Sequence, residues 1–287
     1  MSEKAVSNDF TQGSVYRMIL GMSIPYMMAQ IVNVLYNIVD RVYIGMTPEN
    51  ATLSLTGLGL TLPIISAISA FSNLFGTGGA PLCSIARGKK DINEAEAIIG
   101  NSFAMLVTAG IVLTVLGLIF KRPLLYAFGA SDATFPYAND YLTIYLCGSV
   151  FVMISLGMNN YINSQGFPRV GMLSVCLGAV CNIILDPIFI FGLDMGVRGA
   201  ALATVISQAA AAAWILRFLT GKRCILKLRL KNMRLKARRV RNICMMGTAG
   251  FVMAATNGVV QVVCNATLQT YGGDLYVGVM TVFNSIR

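Results

Sequence analysis

Two aspartates lie inside apolar stretches of the sequence, where a charged side chain is costly to bury. Asp186 belongs to NIILDPIFIF (residues 182–191) and Asp40 to LYNIVDRVYIG (residues 35–45). A carboxylate at membrane depth costs about 2.5 kcal/mol or more, so each is a candidate functional residue. The alternative is a structural ion pair, with Arg41 next to Asp40. Adjacent helix residues point about 100° apart and do not face each other, so we favour a functional role.

Other polar residues extend this candidate site. Asn182 precedes Asp186 by four residues and therefore shares its helix face. Thr204, on the next apolar segment, is predicted at a similar depth because consecutive segments run in opposite directions. A polar stripe at i, i+3, i+4 and i+7 spacing consists of Asn33, Tyr36, Asn37 and Asp40. Such an oxygen-rich set suits Na⁺ or a proton, and we predict that ion at Asp40, Asn182, Asp186 and Thr204.

Two prolines lie in the same apolar segments. Pro187 has no N–H, so the carbonyl of Ile183 loses its helical donor and becomes a further possible ion ligand. Pro25 is predicted to kink the first helix. The alternative for each proline is a simple bend, because prolines are common in membrane helices.

The composition indicates which elements must position these residues. Of the 287 residues, 56% are hydrophobic and 12% are charged, which is about half the charged fraction of a soluble domain. Apolar runs of 20 or more residues follow one another, so the predicted class is an all-α polytopic membrane protein. The first run is interpreted as a membrane span and not as a cleaved signal peptide.

The runs divide the chain into three predicted parts. Residues 1–220 form an N-terminal six-helix transmembrane lobe, residues 221–241 a basic cytoplasmic linker, and residues 242–287 an incomplete second lobe. The six spans of the first lobe are predicted at about 17–45, 52–82, 95–120, 137–162, 170–191 and 197–220. A seventh span covers about 242–270, and an eighth begins near Leu275. Short loops make consecutive spans antiparallel neighbours.

The basic residues predict a cytoplasmic N-terminus. Sixteen basic residues fall on one side of the predicted spans: Lys4, Arg17, Arg87, Lys89, Lys90, Arg169 and the ten Lys and Arg of residues 222–241. Only Lys121, Arg122 and Arg198 fall on the other side, which fits the positive-inside rule. A basic run can bind nucleic acid. Between two spans, the linker is instead expected to lie on anionic membrane lipid, with no nucleic-acid partner.

Enzymatic chemistry finds no support in the sequence. There is no histidine, and the seven cysteines form no C-x-x-C pair, so Cys/His zinc sites and His-based triads are unsupported. The cysteines are expected to act as small apolar residues. There is also no nucleotide-binding loop or nucleophile motif, so we expect no enzyme activity and no cofactor.

Five stretches together resemble the multidrug and toxic compound extrusion (MATE) transporters, within the wider family of multidrug, oligosaccharide-lipid and polysaccharide exporters. In chain order they are LYNIVDRVYIG (35–45), GGAPLCSIARGKKDINEAEAIIGNS (78–102), NSQGFPRVGM (163–172), CNIILDPIFIF (181–191) and MGVRGAALATVISQ (195–208). The resemblance covers about residues 15–220. It implies two six-helix lobes around a central cavity. It also implies export of amphipathic, often cationic compounds across the inner (cytoplasmic) membrane, driven by H⁺ or Na⁺.

The resemblance also implies roles for particular residues. The ion site of the first lobe carries over to Asp40, Asn182 and Asp186, joined by Thr204. The predicted substrate cavity consists of Asn33, Tyr36, Asn37, Tyr141 and Asn159. Pro25 matches a kinking proline of some relatives.

Several alternatives stay open at this point. The family has twelve helices, whereas this sequence reaches the eighth, so we expect a truncated transporter or one completed by a second chain. A lipid-linked saccharide flippase would favour a strongly cationic cavity, while the basic residues here lie mostly in loops. A non-transporting membrane fragment, a channel and a receptor are further alternatives. The sequence favours neither H⁺ nor Na⁺ and does not name the exported compound.

Overall fold

A computed structural model describes residues 15–47 and 51–286, and all regular secondary structure within these ranges is helical. The helices are α1 (Val15–Gly45), α2 (Ala51–Gly88), α3 (Ile92–Ala127), α4 (Phe135–Cys147), α5 (Ser149–Ser164), α6 (Pro168–Pro187), α7 (Val197–Thr220) and α8 (Ala237–Ile286). Within these ranges six helices are long and apolar enough to cross a membrane, and the bent pair α4–α5 makes a seventh when it is counted as one span. The all-α membrane class is therefore confirmed. Lys4 of the predicted cytoplasmic N-terminus lies outside the described residues.

The fourth predicted span is not one straight helix. It is broken at Gly148, where α4 and α5 meet at a bend of 58°. Gly148 closes α4 by donating its backbone N–H to the carbonyls of Ile144 and Tyr145. A Cβ at this position would overlap the side chain of Val205 on α7. The bend therefore occurs where a residue without a side chain lets α7 approach the backbone.

The sixth helix changes its winding directly after Pro187. Residues Ile188–Gly192 form a single π-helical turn, in which the N–H of Leu193 donates to the carbonyl of Ile188 at 2.9 Å. Pro187 offers no N–H to the preceding turn, so a regular α-helix is interrupted at this residue. Tyr43 of α1 packs edge-on against Phe191 of this turn, with ring centroids 6.2 Å apart. The turn thereby holds the end of α6 against α1.

Helix α2 is the central helix of the bundle. In the most apolar 18-residue stretch of α2, 56% of the residues are buried. The corresponding buried fractions are 17% for α3 and 11% for α1. Tyr161 of α5 is fully buried and donates its hydroxyl to the carbonyl of Phe75 on α2, at 2.7 Å. Close approach on the other side of α2 is possible because Gly78 faces the backbone of Gly247 on α8.

Helix α8 reverses its direction along α2 at Gly273. This glycine has φ +67° and ψ −168°, a backbone conformation that ends a regular helix and favours glycine. Before it, the Asn265 amide donates to the carbonyl of Gly59 at 3.1 Å. After it, Thr281 again packs against Gly59. The two segments match the predicted seventh span and the start of the eighth, although the first begins at Ala237, five residues earlier than expected.

The linker between α7 and α8 folds onto the first bundle. Its only regular element among the described residues is a 3₁₀ turn over Leu230–Met233. The buried side chain of Gln165 accepts a hydrogen bond from the N–H of Leu226 at 2.9 Å. Glu96 on α3 forms an ion pair with Arg229 at 3.1 Å. Polar side chains of α3 and of the residue that follows α5 thus hold the linker backbone, and the expected contact of its basic residues with anionic lipid stays a prediction.

Candidate functional site

The polar stripe of α1 lines a cavity of about 240 Å³ that also contacts α2, α4, α5 and α7. We call it the Asp40 compartment. Asp40 is buried within it, 7% exposed. Asn37 donates its amide to the carbonyl of Asn33 at 2.6 Å. The stripe therefore faces the bundle interior as its helical spacing predicts.

Helix α6 brings its carboxylate to the same place. Asp186 and Asn182 are both buried, and the Asn182 amide donates to Asp186 Oδ1 at 3.2 Å. The side chains of Asp186 and Asp40 lie within hydrogen-bonding reach of each other. The structure thus brings together Asp40, Asn182 and Asp186, which lie up to 146 positions apart in the sequence.

Three buried oxygens of this cluster have no hydrogen-bond partner among the described residues: Asp40 Oδ1, Asn182 Oδ1 and Asp186 Oδ2. A buried polar atom without a partner is destabilising, so each of these oxygens favours a bound donor or cation. Two carboxylates in direct contact repel each other unless one is protonated or a cation lies between them. The arrangement can therefore hold a proton or a small hard cation.

Thr204 lines the Asp40 compartment from α7, but among the described residues it makes no hydrogen bond to Asp40 or Asp186. Tyr141, which is buried on α4, lines the same compartment. Tyr141 stacks on Tyr145 with ring centroids 6.0 Å apart. Thr204 and Tyr141 thus form one wall of the compartment, opposite the stripe of α1.

Two residues that the sequence reasoning missed also line this compartment. Arg41 lines the same cavity, and its Nη1 donates to the carbonyl of Asn37 at 2.9 Å. As its position next to Asp40 on the helix predicted, it forms no ion pair within 4.0 Å with Asp40 among the described residues. Gln208 follows Thr204 by four residues and leaves its Oε1 buried without a partner among the described residues. The i+4 spacing to Thr204 was the available signal for Gln208.

A second cavity, of about 280 Å³, adjoins the first one. We call it the amide compartment, because its polar lining is mainly amide and hydroxyl groups. No charged residue lines it in the part of the chain that the structure describes. The two compartments share the walls Asn33, Tyr36, Ser69, Leu156 and Gln208. Asn159 belongs only to the amide compartment, where its Oδ1 accepts from Ser174 at 3.4 Å.

The remaining predicted residues lie outside both cavities. Pro25 is a buried residue inside α1, and Pro187 is the last residue of α6. Asp140, at the predicted outer end of the fourth span, forms an ion pair with Arg198 at 2.9 Å. Within residues 15–47 and 51–286 no three His, Cys, Asp or Glu side chains come together as a metal site.

The chain is similar to known multidrug transporters over nearly its whole length. The family model described as MatE matches residues 25–188. Multidrug export protein MepA of Staphylococcus haemolyticus (strain JCSC1435) is 31% identical over 263 residues, which cover 92% of this chain and 58% of that protein. MepA of Staphylococcus aureus (strain MRSA252) is 27% identical over the same shares. The chain thus spans 58% of the length of these curated relatives.

Solved structures agree with this similarity. The MATE multidrug transporter DinF-BH, solved as a ligand complex, has a TM-score of 0.88 and 33% identity, covering 99% of this chain and 63% of that chain. An inward-facing multidrug resistance MATE family transporter has a TM-score of 0.81 and 25% identity, covering 92% and 60%. The chain therefore belongs to the MATE family of multidrug and toxic compound extrusion transporters.

Proposed function

We propose that this chain provides the first lobe and the ion site of an antiporter that exports drugs or other amphipathic organic compounds. Inward movement of H⁺ or Na⁺ across the cytoplasmic membrane drives the export. The observation that carries this proposal is the contact between the buried carboxyl groups of Asp40 and Asp186. A structural pair of side chains would be expected to have opposite charges, whereas this pair has the same charge.

The net charge of the site explains why one bound cation is enough to neutralise it. Asp40, Asp186 and Arg41 together carry one net negative charge when both carboxylates are ionised. Arg41 forms no ion pair within 4.0 Å with either aspartate among the described residues. Binding one proton or one Na⁺ makes the site neutral, and a neutral site is the one that membrane burial favours. One charge crossing 100 mV supplies about 2.3 kcal/mol, which drives transport.

Helix α1 is the element through which we expect ion binding to reach the substrate cavity. It carries Asp40 near one end and Pro25 about four turns earlier. Because Pro25 interrupts the helical hydrogen bonds, α1 can bend there at little cost. Bending moves Asn33 and Tyr36, which line both compartments. Neutralisation of Asp40 and Asp186 is proposed to favour the bent helix, shrink the cavity and expel the substrate outward.

The relatives and the lining both support this substrate class. The curated relatives are named as multidrug export proteins, and one solved relative is a multidrug transporter in a ligand complex. The two compartments together offer apolar, amide and hydroxyl surface, which tolerates many shapes. A lipid-linked saccharide flippase is disfavoured because Arg41 is the only basic residue among the described lining residues of both compartments. A pyrophosphate group requires more positive charge than one arginine supplies.

Measurements of ion binding test the proposed site at Asp40 and Asp186 directly. The purified chain in detergent is titrated with ²²Na⁺, and proton release is recorded in parallel. Asp40→Asn and Asp186→Asn are expected to abolish the binding of whichever ion couples. Asp140→Asn is the matched control, because Asp140 is a carboxylate on a membrane helix that pairs with Arg198 away from the site. Unchanged ion binding in Asp40→Asn or Asp186→Asn would refute the assignment.

Export is measured separately. Vesicles that contain the chain are loaded with ethidium, and pH and Na⁺ gradients are imposed one at a time. We expect one of the two gradients to accelerate ethidium transport, and the two aspartate variants to remove this stimulation at equal protein levels. Intact ion binding without stimulated transport would show that the chain carries the site but does not transport alone.

A further inference from the structure

A third cavity lies at the end of the bundle that we place in the cytoplasm. It has a volume of about 590 Å³ and lies between the end of α2, the start of α3 and the start of α8. Its apolar lining residues, which we call the apolar wall, are Leu82, Ile85, Ala86 and Ile98. Its charged lining residues, which we call the rim, are Lys89, Asp91, Glu94, Lys236, Arg238 and Arg239. We call this cavity the basic groove.

Three of the four cations in the groove have no ion-pair partner among the described residues. These three are Lys89, Lys236 and Arg238. Arg239 is engaged with Glu94, to which it donates through both Nε (2.7 Å) and Nη2. With two acids and four bases on its rim, the groove carries a net charge of +2. The excess positive charge is therefore available to a ligand.

The backbone that carries these cations is fixed. The N–H of Lys236 donates to the buried Oδ1 of Asn101 at 3.0 Å. Arg238 lies next to Arg239, which is held by Glu94. At the far side, Asp91 caps α3 by accepting from the N–H of Glu94 at 3.0 Å. Side chains on a fixed backbone lose less conformational freedom on binding, which favours a specific site over a diffuse charged surface.

We propose that the basic groove binds an anionic phospholipid of the cytoplasmic leaflet, with its phosphate at Lys89, Lys236 and Arg238 and its acyl chain along the apolar wall. Basic pockets between membrane helices on the cytoplasmic side suit anionic head groups. Ile85, 51% exposed on that wall, gives an acyl chain apolar surface to cover. A free phosphate would leave this surface uncovered. The inference rests on the proposed cytoplasmic placement of this end, and not on the export activity.

Such a lipid would join parts of the chain that are distant in sequence. Lys89 follows α2, whereas Lys236 and Arg238 lie at the start of α8. A single phosphate bound to all three therefore links the first bundle to the helix that follows the linker. We expect the lipid to stabilise the packing of α8 against the first bundle.

Native mass spectrometry of the purified chain in detergent tests the site. The probes are phosphatidylglycerol and phosphatidylcholine with the same acyl chains. The wild type is expected to bind phosphatidylglycerol in preference. The variant Lys89→Gln/Lys236→Gln/Arg238→Gln is expected to lose about a hundredfold in affinity, at about fivefold for each cation near the membrane surface. The matched control Lys222→Gln/Arg223→Gln/Lys231→Gln removes the same charge from linker positions outside the groove and should bind normally.

Two further measurements separate binding from folding and from transport. The charge-conserving variant Lys89→Arg/Lys236→Arg/Arg238→Lys should retain phosphatidylglycerol, which a loss of structure would not allow. Ion binding at Asp40 and Asp186 should persist in the groove variant, so failure of one proposal is distinguishable from failure of the other. Equal losses in the groove and control variants, or displacement of the lipid by millimolar inorganic phosphate, would overturn the lipid site.

Discussion

Replacing Asn101 by alanine should release the linker from the first bundle. The Asn101 side chain is fully buried on α3 and makes three hydrogen bonds to the linker backbone. Its Nδ2 donates to the carbonyls of Asn232 (2.9 Å) and Arg234 (3.1 Å), and its Oδ1 accepts from the N–H of Lys236 (3.0 Å). All three bonds vanish in Asn101→Ala, and their backbone partners lose the side chain that holds them.

The expected loss of linker attachment is estimated from the three hydrogen bonds of Asn101. A hydrogen bond inside a protein contributes about 1 kcal/mol net, so the linker loses about 3 kcal/mol of its attachment. Since about 1.4 kcal/mol is a factor of ten, the detached population rises by about a hundredfold. Water that hydrogen-bonds to the released backbone groups makes this loss of attachment smaller. A backbone group that stays buried without a partner makes the loss larger.

Limited trypsin digestion measures this opening, because the linker contains ten Lys and Arg between residues 222 and 241. When opening is fast relative to cleavage, the cleavage rate follows the open population. Asn93→Ala is the matched control, because Asn93 is an exposed asparagine about two turns earlier on α3. Cleavage of Asn101→Ala at the wild-type rate would show that these bonds do not hold the linker.

Two further predictions concern buried positions elsewhere. Burial raises the pKa of the Cys224 thiol to about 11, from 9.0. Because the thiolate is the reactive form, maleimide labelling at neutral pH should be about a hundredfold slower in the folded chain than after denaturation, in a variant that keeps only this cysteine. Equal rates would refute the buried position. Gly148→Ala should lower stability by about 1–3 kcal/mol in thermal unfolding, since its Cβ overlaps Val205. Val205→Ala should restore part of this loss, and Gly21→Ala, with nothing within 4 Å, is the control.

Hydrophobic runs were sufficient to predict the spans, because a membrane helix must be apolar over its whole length. Their ends were placed too short: α2 ends at Gly88 and not near residue 82, and α3 ends at Ala127 and not near residue 120. A helix can continue beyond its apolar stretch when polar residues cap its end or pack against neighbouring helices. The break at Gly148 could not be predicted, because it depends on Val205 of another helix.

Charge alone does not show how the linker is attached to the bundle. Its ten basic residues predict contact with anionic lipid, which stays a prediction, and its backbone is held by Glu96, Asn101 and Gln165. The sequence around these three polar residues gives no sign that their side chains are buried. Only their spatial neighbours distinguish them from ordinary surface residues.

The predicted membrane depth and the helical spacing were enough to predict that Asp40, Asn182 and Asp186 lie together, because both are calculated from helix geometry. Thr204 lines the same cavity as Asp40, and its nearness to Tyr141 there depends on the packing of α4 against α7. Arg41 forms no ion pair with Asp40 among the described residues, as helix geometry predicted. Its place in the cavity lining was missed, because adjacency on a helix fixes the Cβ direction and not the reach of a long side chain. The roles of these residues in ion binding stay predictions.

The shared walls of the two compartments connect the proposed ion site to the proposed substrate cavity. Asn33 and Tyr36 line both cavities and lie within about two turns of Asp40 on the same helix. A movement of α1 that accompanies ion binding must therefore change the shape of the amide compartment as well. A cationic substrate would in addition compete for the carboxylates of Asp40 and Asp186, whereas a neutral one would feel only the change of shape. The sensitivity of ion binding to a cationic and to a neutral substrate should consequently differ, which separates electrostatic competition from mechanical coupling.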